Sequence, residues 1–190
     1  MNVRPIHRFA TQVRSSVLAL LLAACMTGCG NDIDKIQFFG RQTLPDNTLK
    51  GVDVQRSENG HLQLLMQTPY VEQYSKPEAK TVYPQGVYMR FFDGYDHPTA
   101  TLSARYAVSY DKRNYMMVRD SVVIIDLRSG DTTFLEELTW DATQHRIFSE
   151  QPLRSQNGPR VTYGDGFESD ENMISPQILH QRGTIEWKEE

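Results

Sequence analysis

The chain has 190 residues, 20 basic and 24 acidic side chains, and an apolar share of 39%, which places it among globular rather than disordered sequences. Its first 24 residues hold three arginines and no acid, so the remainder carries 17 basic and 24 acidic residues and a formal charge of −7. That sign argues against nucleic acid as a partner, which needs clustered Lys and Arg for its phosphates, and against electrostatic attachment to anionic lipid.

Arg4, Arg8 and Arg14 precede an apolar run at 17–24, and Leu22-Ala23-Ala24-Cys25 closes it. A basic segment, a short apolar core and small residues at a cut make a secretory signal. A cysteine directly after the cut is the pattern of a bacterial lipoprotein, in which it receives lipid and becomes the mature N-terminus. Cys25 is the expected acceptor and Cys29 the second candidate. The run is far short of the ~20 residues of a spanning helix, so a transmembrane anchor is the lesser alternative. A Cys25–Cys29 disulfide would close a tiny loop and stabilise little. No other cysteine exists, so the fold uses neither disulfides nor cysteine-held metal. Residues 25–50, interrupted by Gly28, Gly30, Asn31, Asp32, Pro45, Asp46 and Asn47, form the expected lipidated tether. The domain is expected over 51–190.

From residue 51 the pattern is β. Residues 51–56 alternate with Val52 and Val54 on one face, and Glu58-Asn59-Gly60 is a hairpin turn because Asn and Gly accept positive φ. Residues 61–66 place Leu62, Leu64 and Met66 on one face, and Pro69 and Pro77 punctuate the stretch after them. Pro84-Gln85-Gly86 leads into a strand with Val87, Met89 and Phe91 facing one way and Tyr88, Arg90 and Phe92 the other. After a loop at Asp93-Gly94 and His97-Pro98, residues 102–110 alternate as one strand, with Leu102, Ala104, Tyr106, Val108 and Tyr110 against Ser103, Arg105, Ala107 and Ser109. Residues 115–127 form a long strand containing Val122 and Ile124, in which a bulge at Asp120 would flip the facing of Met116, Met117 and Val118. Residues 134–140 set Phe134, Glu136, Leu138 and Trp140 against Leu135, Glu137 and Thr139. Strands at 147–153 and 161–163 come next, and Gly164-Asp165-Gly166 reads as a bulge or turn.

Tyr110-Asp111 and Trp140-Asp141 lie 30 residues apart, each closing an alternating strand and opening a polar turn, with a looser copy over 61–74. Repeated hairpins cannot bury an apolar face alone and must stack. The fold expected is all-β, an antiparallel β-jelly roll or elongated two-layer sandwich. Motifs for chemistry are lacking. The histidines His61, His97, His145 and His180 sit singly near turns, no Gly-x-Ser-x-Gly elbow exists, and no metal-ligand spacing recurs. Neither a catalytic residue, a metal nor a cofactor is expected.

Several stretches together resemble the LptC family of lipopolysaccharide export. They are Tyr83-Pro84-Gln85-Gly86-Val87-Tyr88-Met89-Arg90-Phe91-Phe92-Asp93, Leu102-Ser103-Ala104-Arg105-Tyr106-Ala107, Glu136-Glu137-Leu138-Thr139-Trp140-Asp141 with Ile147-Phe148-Ser149, and Tyr163-Gly164-Asp165-Gly166-Phe167-Glu168-Ser169-Asp170. They cover roughly 50–175. The family often has a glycine where this chain has Asp120-Ser121-Val122. The resemblance implies a β-jelly roll with an open apolar interior, in a periplasmic protein anchored to the inner membrane, here through an N-terminal lipid. It implies three partners: lipopolysaccharide, the periplasmic domains of the lipopolysaccharide ABC transporter, and a periplasmic bridge protein of similar, LptA-like fold. Lipid contact is expected from Val87, Met89, Phe91, Leu102, Ala104, Tyr106, Val122, Ile124, Leu138 and Trp140. The competing reading is an envelope lipoprotein whose filled sandwich binds protein or glycan.

Overall fold

The computed structural model describes residues 44–185. Its strands are β1 (Asn47–Glu58), β2 (His61–Tyr74), β3 (Lys80–Tyr83), β4 (Val87–Phe92), β5 (Pro98–Ala104), β6 (Tyr106–Tyr110), β7 (Tyr115–Asp126), β8 (Thr132–Asp141), β9 (Arg146–Asn157), β10 (Arg160–Asp170), β11 (Gln177–Ile178) and β12 (Thr184–Ile185). All are antiparallel and belong to one sheet. The fold is all-β and jelly-roll-like.

Tight turns make chain order the order of the sheet. Asn59 and Gly60, at φ 52° and 86°, close the β1–β2 hairpin, as their tolerance of positive φ requires. β3 and β4 are halves of one long strand, as are β5 and β6, because β3 pairs with β6 and β4 with β5. β7 then pairs with both β5 and β6, and β8, β9 and β10 continue as a meander.

A crease crosses the long strands. In β1 and β2 it falls where Gly51, at φ 59°, and Pro69 drop out of the register. It continues through the turn before Gly86 and the break at Arg105, whose N–H donates to the Asp120 carbonyl at 3.0 Å. In β7 it is a bulge at Asp120 and Ser121, both with positive φ. The register slips again between Leu135 and Thr139 in β8 and between Asp165 and Phe167 in β10. Bulges bend a strand and increase its twist. Aligned across neighbours, they fold the sheet upon itself, so the two halves of the same strands become the two layers of a sandwich. The ring of Phe91 in β4 meets that of Trp140 in β8 edge-on, with centroids 6.4 Å apart, although these strands are not sheet neighbours.

Folding along the crease changes which residues face inward. The break at Arg105 shifts the phase of the expected 102–110 strand. Leu102, Ala104 and Ala107 enter the core, while Tyr106 faces out with the Arg119 guanidinium 4.4 Å from its ring. In β8 the slip at Glu136-Glu137 puts Leu135 and Leu138 on the same face and turns Phe134 outward beneath Arg154, 4.7 Å away. Met116 and Val118 share the inner face with Val122 and Ile124. The hairpin repeat is visible in burial, since the first ten positions of β7 and β9 match in sequence of buried and exposed sites. Its spacing is 31 residues, however, because Tyr115 and Arg146 open the equivalent strands. Tyr110 and Trp140 are therefore not counterparts. β1 starts at Asn47, inside the stretch assigned to the tether, and β2 runs through Pro69 to Tyr74. The leader at 1–24, Cys25, Cys29 and most of the tether lie outside the described residues.

Candidate functional site: the interior and its mouth

Eight of the ten expected interior residues converge on one buried cluster: Val87, Met89, Phe91, Leu102, Ala104, Val122, Ile124 and Leu138. Trp140 packs against it half-buried, and Tyr106 lies on the outer surface. Strand alternation explains the convergence, because every second side chain of a strand meets the same layer opposite. The cluster also contains residues outside the expected set, among them Met66, Leu135, Ile147, Leu153, Phe167 and Met173. The alternation carried a signal for Met66 and Ile147. It carried none for Met173, which lies in a loop.

Around Phe91 the interior is closely filled. Met89, Phe91 and Leu102 from one layer and Met116, Val118, Leu138, Trp140 and Ile147 from the other surround a residual cavity of about 10 Å³. An outer cleft of about 320 Å³ adjoins it, lined by Arg56, Ser109, Asn114, Tyr115, Met116, Trp140 and Ala142. Met116 and Trp140 line both spaces, so these two side chains form the wall between cleft and interior. The Arg56 guanidinium lies 5.0 Å from the Trp140 ring centroid. Trp140 Nε1 is buried without a hydrogen-bond partner.

Opposite the crease, where the free ends of the two layers meet, polar contacts hold the mouth shut. Arg56 pairs with Glu171 at 3.2 Å. The Thr99 hydroxyl donates to the Asn172 carbonyl at 2.6 Å, and Arg128 donates to the carbonyls of Met173 and Ile174 at 3.2 and 2.7 Å. Asp170 accepts the N–H groups of Asn172, Ile174 and Ser175, which shapes this loop and drives Met173 inward at φ 54°. Asn172 Oδ1 is buried without a partner beside it.

Asp126 anchors the Arg128 clip at 3.0 Å. Burial, the largest single influence on its carboxyl, pushes the pKa up. Bonds from the Arg128 side chain and from the N–H groups of Arg128 and Ser129 together outweigh it and leave the pKa below the ordinary aspartate value. A carboxyl depressed in the folded state stabilises above its unfolded pKa and loses that effect as pH falls through its folded value. Asp126→Asn is therefore expected to cost about 1–3 kcal/mol at neutral pH. The gap should close in acid, below the ordinary aspartate range. Denaturant melts across pH test this, and a gap unchanged into strong acid would contradict it.

Two comparisons bear on the chain. The family described as "Lipopolysaccharide-assembly, LptC-related" matches residues 16–186. No curated protein matches it.

Proposed function

The chain belongs to the LptC-related family of lipopolysaccharide assembly, and from that membership we propose that it carries lipopolysaccharide acyl chains between the two layers of its sandwich. The family places it in lipopolysaccharide transport in the cell envelope, as a transport component. In this reading Cys25 bears the lipid that anchors the protein to the inner membrane. Lipopolysaccharide arrives from the periplasmic domains of the ABC transporter and leaves to a periplasmic bridge protein of similar fold.

The observation that carries the reading is the interior cluster itself, apolar, continuous from β2 to β10, and contributed by both layers. Acyl chains need an apolar path, and a sheet folded on a crease can widen at its mouth while its strands stay paired. Val87, Met89, Phe91, Leu102, Ala104, Val122, Ile124 and Leu138 would line that path, with Trp140 and Met116 at the cleft end. The unpartnered Trp140 Nε1 and Asn172 Oδ1 would offer a donor and an acceptor to the polar links between acyl chain and sugar. Passage between proteins would use sheet edges, which accept another chain's strand.

The tight packing around Phe91 favours the second reading, a filled sandwich serving as a binding lipoprotein, since the cavity there measures only about 10 Å³. Photo-crosslinking in cells separates the two. Probes at Phe91, Ile124 and Trp140 are expected to capture lipopolysaccharide, and probes at the outward Arg90 and Tyr106 are not. A folded, expressed protein without adducts at any interior position would support the filled sandwich.

A further inference from the structure

The two ends of the sheet differ. At one end β1 runs twelve residues, exposed along almost its whole length, with Leu49 and Val54 facing solvent and no strand on its outer side among the described residues. At the other end β10 is covered by the chain's own next segment. That segment pairs with β10 at only four positions, Glu168 with Gln177, Phe167 with Ile178, Thr162 with Thr184, and Val161 with Ile185. On its inner side β10 pairs with β9 at ten. Between the two short ladders the segment departs from strand geometry, with His180 and Gly183 at positive φ.

Improvised bonds nevertheless satisfy the β10 edge. Leu179 N–H donates to the Gly166 carbonyl at 2.8 Å and Arg182 N–H to the Tyr163 carbonyl at 2.8 Å. Asp165 N–H donates to the Leu179 carbonyl at 3.1 Å, and the Arg182 guanidinium pairs with the Asp165 carboxylate at 2.6 Å. Gly164 allows the close pass, because a Cβ there would stand 2.7 Å from the Leu179 carbonyl. Residues 180–183 are exposed, so lifting them uncovers little apolar surface. Edge strands with free backbone groups template pairing with other chains, and a covering segment is one way a protein blunts such an edge.

We propose that residues 179–185 are a displaceable strap over β10, with Ile178 staying packed against the core, and that the edge beneath takes the β1-type edge strand of another sheet of this kind once the strap lifts. The proposal rests on the reading that lipid passes between proteins joined at sheet edges, and it adds a control on that joining. A regular strand offers a continuous ladder where the covering segment offers two short ones, so a neighbour at sufficient concentration exchanges with the strap. A second copy of this chain is the probe, because its β1 has no strand on its outer side among the described residues and β1-on-β10 is a head-to-tail contact.

The test is sedimentation of the chain beside Leu179→Pro/Arg182→Pro, which deletes two strap N–H donors and the Arg182–Asp165 ion pair and alters no residue of β10. The variant is expected to associate as concentration rises while the parent stays monomeric. Should the double proline fail to melt cooperatively, truncation after Leu179 keeps Ile178 against the core and bares the first half of β10. A folded variant that stays monomeric, or a parent that associates equally, would overturn the strap. Neither result involves lipid, so the strap and the lipid path stand or fall separately.

Discussion

Phe91→Ala is expected to lower stability by about 3–5 kcal/mol, the range for deleting a fully buried aromatic ring. Phe91 is 1% exposed, sits next to the last residue of β4 and bridges the layers through Trp140. Its loss removes buried apolar area, a cross-layer ring contact of about 0.5–1.5 kcal/mol, and the filling of a cavity that is almost closed. Neighbours from both layers would have to collapse inward to refill the space. Chemical denaturation measures the loss. A cost under about 1 kcal/mol, the level of a tolerated volume-conserving swap, would show that the layers are not packed against each other at this point. In cells the same variant is expected to reduce lipopolysaccharide adducts at Ile124 only in proportion to the folded protein lost.

Gly86→Ala is expected to cost about as much by a different route. Gly86 has φ 88°, a backbone conformation that disfavours a side chain by about 1–2 kcal/mol. A Cβ there would stand 2.5 Å from the Ala104 carbonyl of the neighbouring strand, and relieving such overpacking costs a further ~1–3 kcal/mol. The lesion falls on the crease. Thr68 Oγ1 donates to the Gly86 carbonyl at 2.8 Å, tying the bend in β3–β4 to the bend in β2. Displacement of Gly86 is therefore transmitted to its neighbours. Thermal melting of Gly86→Ala beside Gly60→Ala checks the cause, because a Cβ at Gly60 meets no atom within 4 Å although its φ is also positive. Equal losses at the two positions would assign the whole effect to backbone strain and none to the close approach.

The strands were legible because a period of two is written in the residues themselves. Val87, Met89 and Phe91 announce their common face, and the turn at Asn59-Gly60 announces where the chain reverses. The bulge at Gly164-Asp165-Gly166 was legible for the same local reason. Facing beyond an irregularity was not. Tyr106 alternates with Leu102 and Ala104 in the sequence, yet the break at Arg105 places it outside. Leu135 alternates away from Leu138, yet the slip at Glu136-Glu137 brings both inside. Asp120 and Ser121 adopt positive φ without being glycine, so composition alone conceals that bend. The Met173 loop and the strap over β10 carry no period at all, and neither could be read from the chain.

The class of the protein is therefore a local property of its residues. Alternating strands joined by short polar turns, and their apolar faces as far as the first irregularity, can be read along the chain. So can the secretory pattern at the N-terminus, as an expectation, and the resemblance that the family match bears out. How the sheet closes is a different kind of property. A crease needs bulges aligned across neighbouring strands, and alignment belongs to the register between distant segments rather than to any one of them. The mouth joins Arg56 to Glu171, 115 positions apart, and Arg128 to Met173, 45 apart. Such contacts exist only after the layers have folded together, because each is held by the packing around it and not by its local sequence.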